Sequence, residues 1–125
     1  MKDLETKVLK HLKARKWDNL RPVDLAKSIM IEGAELLELF QWENLSLEEV
    51  KQNKDKFDEI KKELADVMIY CLEMSVLLGF DTKKIINQKL KLVAKKYPAK
   101  LMKRRADDTG AGDYFRIKKE YRSKK

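Results

Sequence analysis

Cysteine, histidine, proline and glycine are scarce in this 125-residue chain, and each shortage removes a class of protein. The single cysteine, Cys71, rules out an intramolecular disulfide. Its place on an apolar stripe reads as a small buried hydrophobe in a cytosolic protein. The single histidine, His11, has no second histidine or cysteine at ligand spacing. That closes zinc sites of the HExxH type and di-iron bundles built on Glu-x-x-His, and leaves His11 a packing or surface role. Four glycines and two prolines, set against 40% charged and 43% hydrophobic residues, favour helices over a β architecture. No run of about 18 apolar residues exists to span a membrane. The opening residues, Met1-Lys2-Asp3-Leu4-Glu5, lack the apolar stretch of a secretory signal. A single cytoplasmic domain with a core of its own is the expectation.

What is abundant is charge, unevenly placed. Residues 1–21 hold seven basic and three acidic side chains, residues 22–98 twelve and fourteen, and residues 99–125 ten and four. The middle is mildly acidic between two basic ends, within a net charge of +8. Basic ends suit nucleic acid, and they suit a phosphate-bearing small molecule equally well.

The acidic middle is organised by two spacings, Glu32-Gly33-Ala34-Glu35 and Glu63-Leu64-Ala65-Asp66. On an α-helix each pair projects from nearly the same side. In the first helix Leu25, Ile29, Gly33, Leu36 and Phe40 form an apolar stripe. Glu32 lies roughly 60° from its centre and Glu35 roughly 120°. In the second, Ile60, Leu64, Val67, Cys71 and Leu78 form the stripe, and Glu63 and Asp66 repeat the two offsets. Packed antiparallel, the helices would converge four carboxylates on one place. Four such charges repel unless a cation sits among them, and oxygen-only ligands suit Mg²⁺ or Mn²⁺.

Taken in order, the apolar spacing predicts a helix over residues 3–16, a break at Trp17-Asp18-Asn19-Leu20-Arg21, and a second helix from Pro22 to Glu43. Trp17 would staple helices together or line a pocket for a planar ring. Glu38 falls opposite the stripe and is expected in solvent, and Trp42 falls on the Glu35 side as a stacking surface. Ser46 and Glu49 form a capping box that opens a long helical pattern to Leu78, with the polar stretch Lys51–Asp58 a loosened or separately helical segment. Tyr70 lies on the Glu63 and Asp66 side, and Gly79 suits a C-cap. The last long helix runs from Asp81-Thr82 to the Tyr97-Pro98 stop, with Ile85, Ile86, Leu90 and Val93 as its apolar face. Lys96, just before the stop, is the lysine placed for a phosphate. Residues 99–113 read as a flexible linker, and Tyr114 to Arg122 as one short basic helix. That tail is disordered or closes over an anionic ligand.

Four of these stretches together resemble a known family. Trp17, the run from Glu32 to Trp42, Glu63-Leu64-Ala65-Asp66 through Tyr70, and Lys96-Tyr97-Pro98 are similar to the MazG-like all-α nucleoside triphosphate pyrophosphohydrolases, and most of all to their dCTP pyrophosphatase branch. The resemblance spans residues 17–98. It implies an all-α four-helix bundle over residues 1–98, assembled as a homodimer or homotetramer, with residues 99–125 as a basic tail. It further implies Mg²⁺, or Mn²⁺, at Glu32, Glu35, Glu63 and Asp66, with the substrate met by Trp17, Trp42, Tyr70 and Lys96. The implied reaction hydrolyses a nucleoside triphosphate between its α and β phosphates, a housecleaning role in the nucleotide pool. A metal would offset phosphate charge and activate water, with Glu35, helped by Glu32, as the proton acceptor. Two positions depart from the family. Arg21 stands where a histidine is usual, and Val93 where an asparagine associated with nucleotide recognition is usual. The competing reading is a basic helical nucleic-acid-binding protein without catalysis.

Overall fold

A computed structural model describes residues 1–102 and 112–123, and the side chains of the second stretch from Arg116 onward. Seven helices and no strand occur among these described residues: α1 (Lys2–Ala14), α2 (Pro22–Glu38), α3 (Leu47–Gln52), α4 (Lys54–Leu77), α5 (Thr82–Lys96), α6 (Ala99–Met102) and α7 (Gly112–Ser123). The all-α expectation holds. No helix among the described residues is long and apolar enough to cross a membrane. The helices fall into two compact units, Met1–Thr82 and Lys83–Lys125. Of the linker expected over residues 99–113, Ala99–Met102 is helical and residues 103–111 lie outside the described residues. The basic helix expected from Tyr114 is present and starts two residues earlier, at Gly112.

Local chemistry explains the helix ends of the first unit. α1 stops in a Schellman motif: the Trp17 N–H donates to the Leu12 carbonyl (2.9 Å) and the Lys16 N–H to that of Lys13 (3.1 Å). Lys16 takes the left-handed position at φ 57°, which a side chain with a Cβ tolerates poorly. The same motif ends α4 with Gly79 at φ 74°, where glycine meets no such clash. Lys16→Gly is therefore expected to raise the unfolding free energy by about 0.5–1 kcal/mol in a urea titration. A loss of stability would show that the Lys16 side chain contributes contacts outweighing its backbone strain.

Pro22 opens α2, as its fixed φ allows. Ser46 caps α3, its hydroxyl accepting the Glu49 N–H at 3.2 Å. The long pattern from Ser46 is interrupted at Asn53, whose side chain caps α4 by accepting the Lys56 N–H at 3.1 Å. α2 ends at Glu38 rather than Glu43. The Lys56 ammonium reaches back to donate to the Leu39 carbonyl at 2.6 Å, supplying the cation that a helix C-terminus favours.

α2 and α4 make the most extensive pairing of the first unit, with α1 and α3 also lying on α4. The pairing is antiparallel: Leu39 meets Lys56, while Glu32, further back on α2, meets Glu63 and Asp66, further along α4. The same register sets Leu25 level with Leu72, and these two, with Leu12 of α1, are the buried apolar side chains of the unit. A polar latch closes its end. Glu5 of α1 accepts from the Thr82 hydroxyl at 3.0 Å, and that hydroxyl lies 2.6 Å from Ser75 of α4.

One expectation about α4 fails. Ile60 and Val67 face inward, but Leu64, Cys71 and Leu78 are exposed. α1 and α2 cover α4 on the side of Ile60, Glu63, Val67 and Tyr70, which is rotated away from the apolar stripe. Phe57, Leu64, Met68 and Cys71 consequently line an uncovered apolar stripe. Cys71 is an exterior thiol, not a buried one.

Candidate metal centre

The antiparallel pairing of α2 and α4 brings the carboxylates together. Glu32, Glu63 and Asp66 each place an oxygen within 4.8 Å of the other two. Glu35, one turn along α2 from Glu32, lies close enough to share a hydrogen bond with both Glu32 and Glu63. The offsets read from the sequence also appear in the burial: Glu32 and Glu63 are half-buried, Glu35 and Asp66 exposed.

The electrostatics are those of a site holding more negative charge than it can balance. The Glu32 carboxyl is raised above the ordinary 4.5, first by its hydrogen bond with Glu35, then by burial, then by the charges of Glu35, Asp66 and Glu63. Glu63 is raised chiefly by burial, with Glu35, Asp66 and Glu38 adding repulsion. One oxygen of each, Oε2 of Glu32 and Oε2 of Glu63, is closed to water and has no hydrogen-bond partner. Such orphaned anionic oxygens are costly, and a shared cation is the usual remedy. All the donors are hard oxygens, so the cluster fits Mg²⁺ or Mn²⁺ and no thiolate-seeking metal.

Tyr70 sits beside this cluster on α4. Burial raises its hydroxyl first, and the charges of Glu73, Glu32, Asp66 and Glu35 add to the shift, so the phenol holds its proton and can donate. Glu73 continues the line of Glu63, Asp66 and Tyr70 along the helix. It is only 5% exposed, and its Oε2 also has no partner. Burial raises its carboxyl, and His11 of α1 pulls the other way. Glu73 is not singled out by sequence alone, because a lone charged residue defaults to solvent. Its spacing of three residues from Tyr70 and seven from Asp66 was the available signal.

The aromatic candidates are placed by their chain breaks. The Trp17 ring meets His11 edge-on, with centroids 6.1 Å apart, and is half exposed. Trp42 does not lie on a helix at all. Because α2 ends at Glu38, this residue occupies the following turn, with 88% of its surface exposed. Lys96 belongs to the second unit, at the end of α5. Its ammonium lies over the Tyr97 ring at 5.2 Å and over the Tyr121 ring of α7 at 4.8 Å.

The profile of the MazG-like family matches residues 27–110, a stretch that contains both carboxylate pairs, Tyr70 and Lys96. In three dimensions the chain is similar to a pyrophosphatase from Archaeoglobus fulgidus, at 34% identity and a TM-score of 0.68. The likeness covers 78% of this chain and 92% of the archaeal one. No functionally curated protein matches.

Proposed function

Since the chain belongs to the MazG-like family, we propose that it is a metal-dependent pyrophosphohydrolase that cleaves a nucleoside triphosphate between the α and β phosphates, releasing the monophosphate and pyrophosphate. The observation that carries this reading is the knot of Glu32, Glu63 and Asp66 within 4.8 Å, two of its oxygens closed to water and unpartnered. The archaeal neighbour, itself a pyrophosphatase, supports the same class of reaction.

Glu32, Glu35, Glu63 and Asp66 would hold Mg²⁺ or Mn²⁺, which supplies charge neutralisation for the phosphates and acidity for water. The protein's own groups then divide the remaining work. Glu35, exposed and within hydrogen-bond reach of Glu32 and Glu63, is best placed to accept the proton of an attacking water, with Glu32 sharing that proton. The Tyr70 hydroxyl, kept protonated by burial and by its acidic neighbours, donates to a phosphate oxygen. Lys96 meets phosphate charge. Trp17 and Trp42, both with exposed ring surface, offer faces on which a base can stack. The substrate class is the deoxynucleoside triphosphates of the cytoplasmic pool. The resemblance to dCTP pyrophosphatases favours a pyrimidine, and Arg21 and Val93 make base choice the property to measure first.

We also infer that the working form is a homodimer or homotetramer. Much of the apolar surface remains outside the single chain, including the α4 stripe of Leu64 and Met68 and, in the second unit, Ile86 and Leu90 of α5. Exposed apolar stripes of this kind mark interaction faces.

The deciding assay presents every common NTP and dNTP with Mg²⁺, with Mn²⁺, or with a chelator, and identifies the products. Pyrophosphate released only with metal, and fastest from one deoxynucleotide, is the expected result. No turnover by folded, metal-loaded protein would sink the proposal. Salt-sensitive duplex binding that persists in Glu32→Gln would instead favour the nucleic-acid reading.

A further inference from the structure

We propose that Tyr121, on the C-terminal helix α7, is a positioning residue that seats the Lys96 ammonium. The inference rests on the reading of Lys96 as a phosphate contact. It adds a function for the tail, which neither the family match nor the archaeal likeness assigns.

The Lys96 ammonium lies 5.2 Å from the centre of the Tyr97 ring and 4.8 Å from that of Tyr121. Both fall inside the roughly 6 Å range over which a ring face attracts a cation. Tyr97 follows Lys96 directly and would be present with or without the tail. Tyr121 arrives from α7, and the geometry of that helix explains how. Ile117 is buried, at 6% exposure, and Tyr121 lies four residues further on the same face. α7 packs on α6 within the second unit, and its face that buries Ile117 also carries the second ring.

Two rings suit a phosphate-binding lysine better than a carboxylate would. A free lysine samples many rotamers, and most of that freedom is lost when it grips a ligand. The rings remove part of the freedom in advance. They carry no formal charge, so the ammonium keeps its full positive charge and can still turn donors toward an oxygen anion. Among the described residues no carboxylate lies within ion-pair distance of Lys96. On α7, Arg116 pairs with Glu120 at 3.1 Å, so Glu120 is directed along its own helix.

The test compares wild type with Tyr121→Phe, Tyr121→Leu, Lys96→Met and the Leu/Met double variant, each first checked by circular dichroism for retained helix. Tyr121→Leu is expected to raise KM about three- to ten-fold with kcat nearly unchanged. Tyr121→Phe, which keeps the ring face, should restore wild-type KM. In the Lys96→Met background the leucine change should add nothing further. A second readout needs no turnover: the ring-shifted NMR signals of the Lys96 ε-methylene should move toward free-lysine values in Tyr121→Leu, and affinity for inorganic tripolyphosphate should fall alongside. An unchanged KM, Lys96 signal and tripolyphosphate affinity in Tyr121→Leu would overturn the inference, as would additive effects in the double variant. If wild type turns over no nucleotide, the pyrophosphohydrolase reading fails by itself. The NMR shift and tripolyphosphate affinity then still decide the role of Tyr121.

Discussion

Glu63→Gln is expected to cut pyrophosphate release about a hundredfold or more while making the metal-free protein harder to melt. The two effects share one cause. Glu63 is half-buried, has an oxygen closed to water, and faces the charges of Glu35, Asp66 and Glu38. Without a cation its ionised form destabilises the fold. Its carboxyl and that of Glu32 are both raised above 4.5, so the folded protein holds protons that the unfolded chain releases. The stability they contribute is fully present below that value and is lost as pH rises through the raised range. Metal-free wild type should therefore melt at falling temperature as pH climbs from about 4.5 toward neutrality. Glu63→Gln should flatten that fall. Adding Mg²⁺ or Mn²⁺ at neutral pH should stabilise wild type through binding to the folded state, and the variant much less. Thermal melts with chelator and with metal, run beside the pyrophosphate assay, read all of this. A Glu63→Gln protein with wild-type turnover, or with an unchanged pH profile, would remove Glu63 from the metal centre.

Met68→Glu is expected to separate the assembled protein into single chains. Met68 projects from the middle of the uncovered α4 stripe, 59% exposed in the isolated chain, between Leu64 and Cys71. A glutamate there costs a single chain little, because water solvates it. Buried between copies it would be an unpaired charge, worth about a thousandfold or more in the dissociation constant. Light scattering behind size exclusion measures the mass directly. A wild-type protein that already runs as one chain at micromolar concentration would end the assembly proposal. A Met68→Glu protein of undiminished mass would move the interface off α4.

These two predictions draw on what was most and least legible in the sequence. The carboxylate centre was legible because helical periodicity carries geometry. Glu32 and Glu63 were expected at the edge of the buried face, with Glu35 and Asp66 a step outward, and the burial follows that order. The caps at Ser46 and Gly79 were legible because each states its backbone chemistry locally. What failed depended on partners distant in the chain. The stripe of Leu64, Cys71 and Leu78 was read as core, because apolar periodicity says that a face must be covered without saying which element covers it. The helix from Pro22 was extended to Glu43 because Phe40-Gln41-Trp42 contains no breaker. The ammonium that meets its final turn comes from Lys56, on another helix. Lys16 offered no sign of its left-handed backbone, since glycine is the usual signal there. Glu73 was missed because only the packing of α1 beside α4 places a charged residue away from water.

The short stretch that carries Trp42 is held at both ends by the same neighbourhood. Lys56 of α4 grips the Leu39 carbonyl where the stretch begins, and Ser46 caps α3 where it ends. An indole on so short a connection, anchored at both ends, has less backbone freedom than one on a long loop. If Trp42 stacks the base as proposed, the base meets a ring on a backbone already held at both ends, with chiefly the side-chain orientation left to choose.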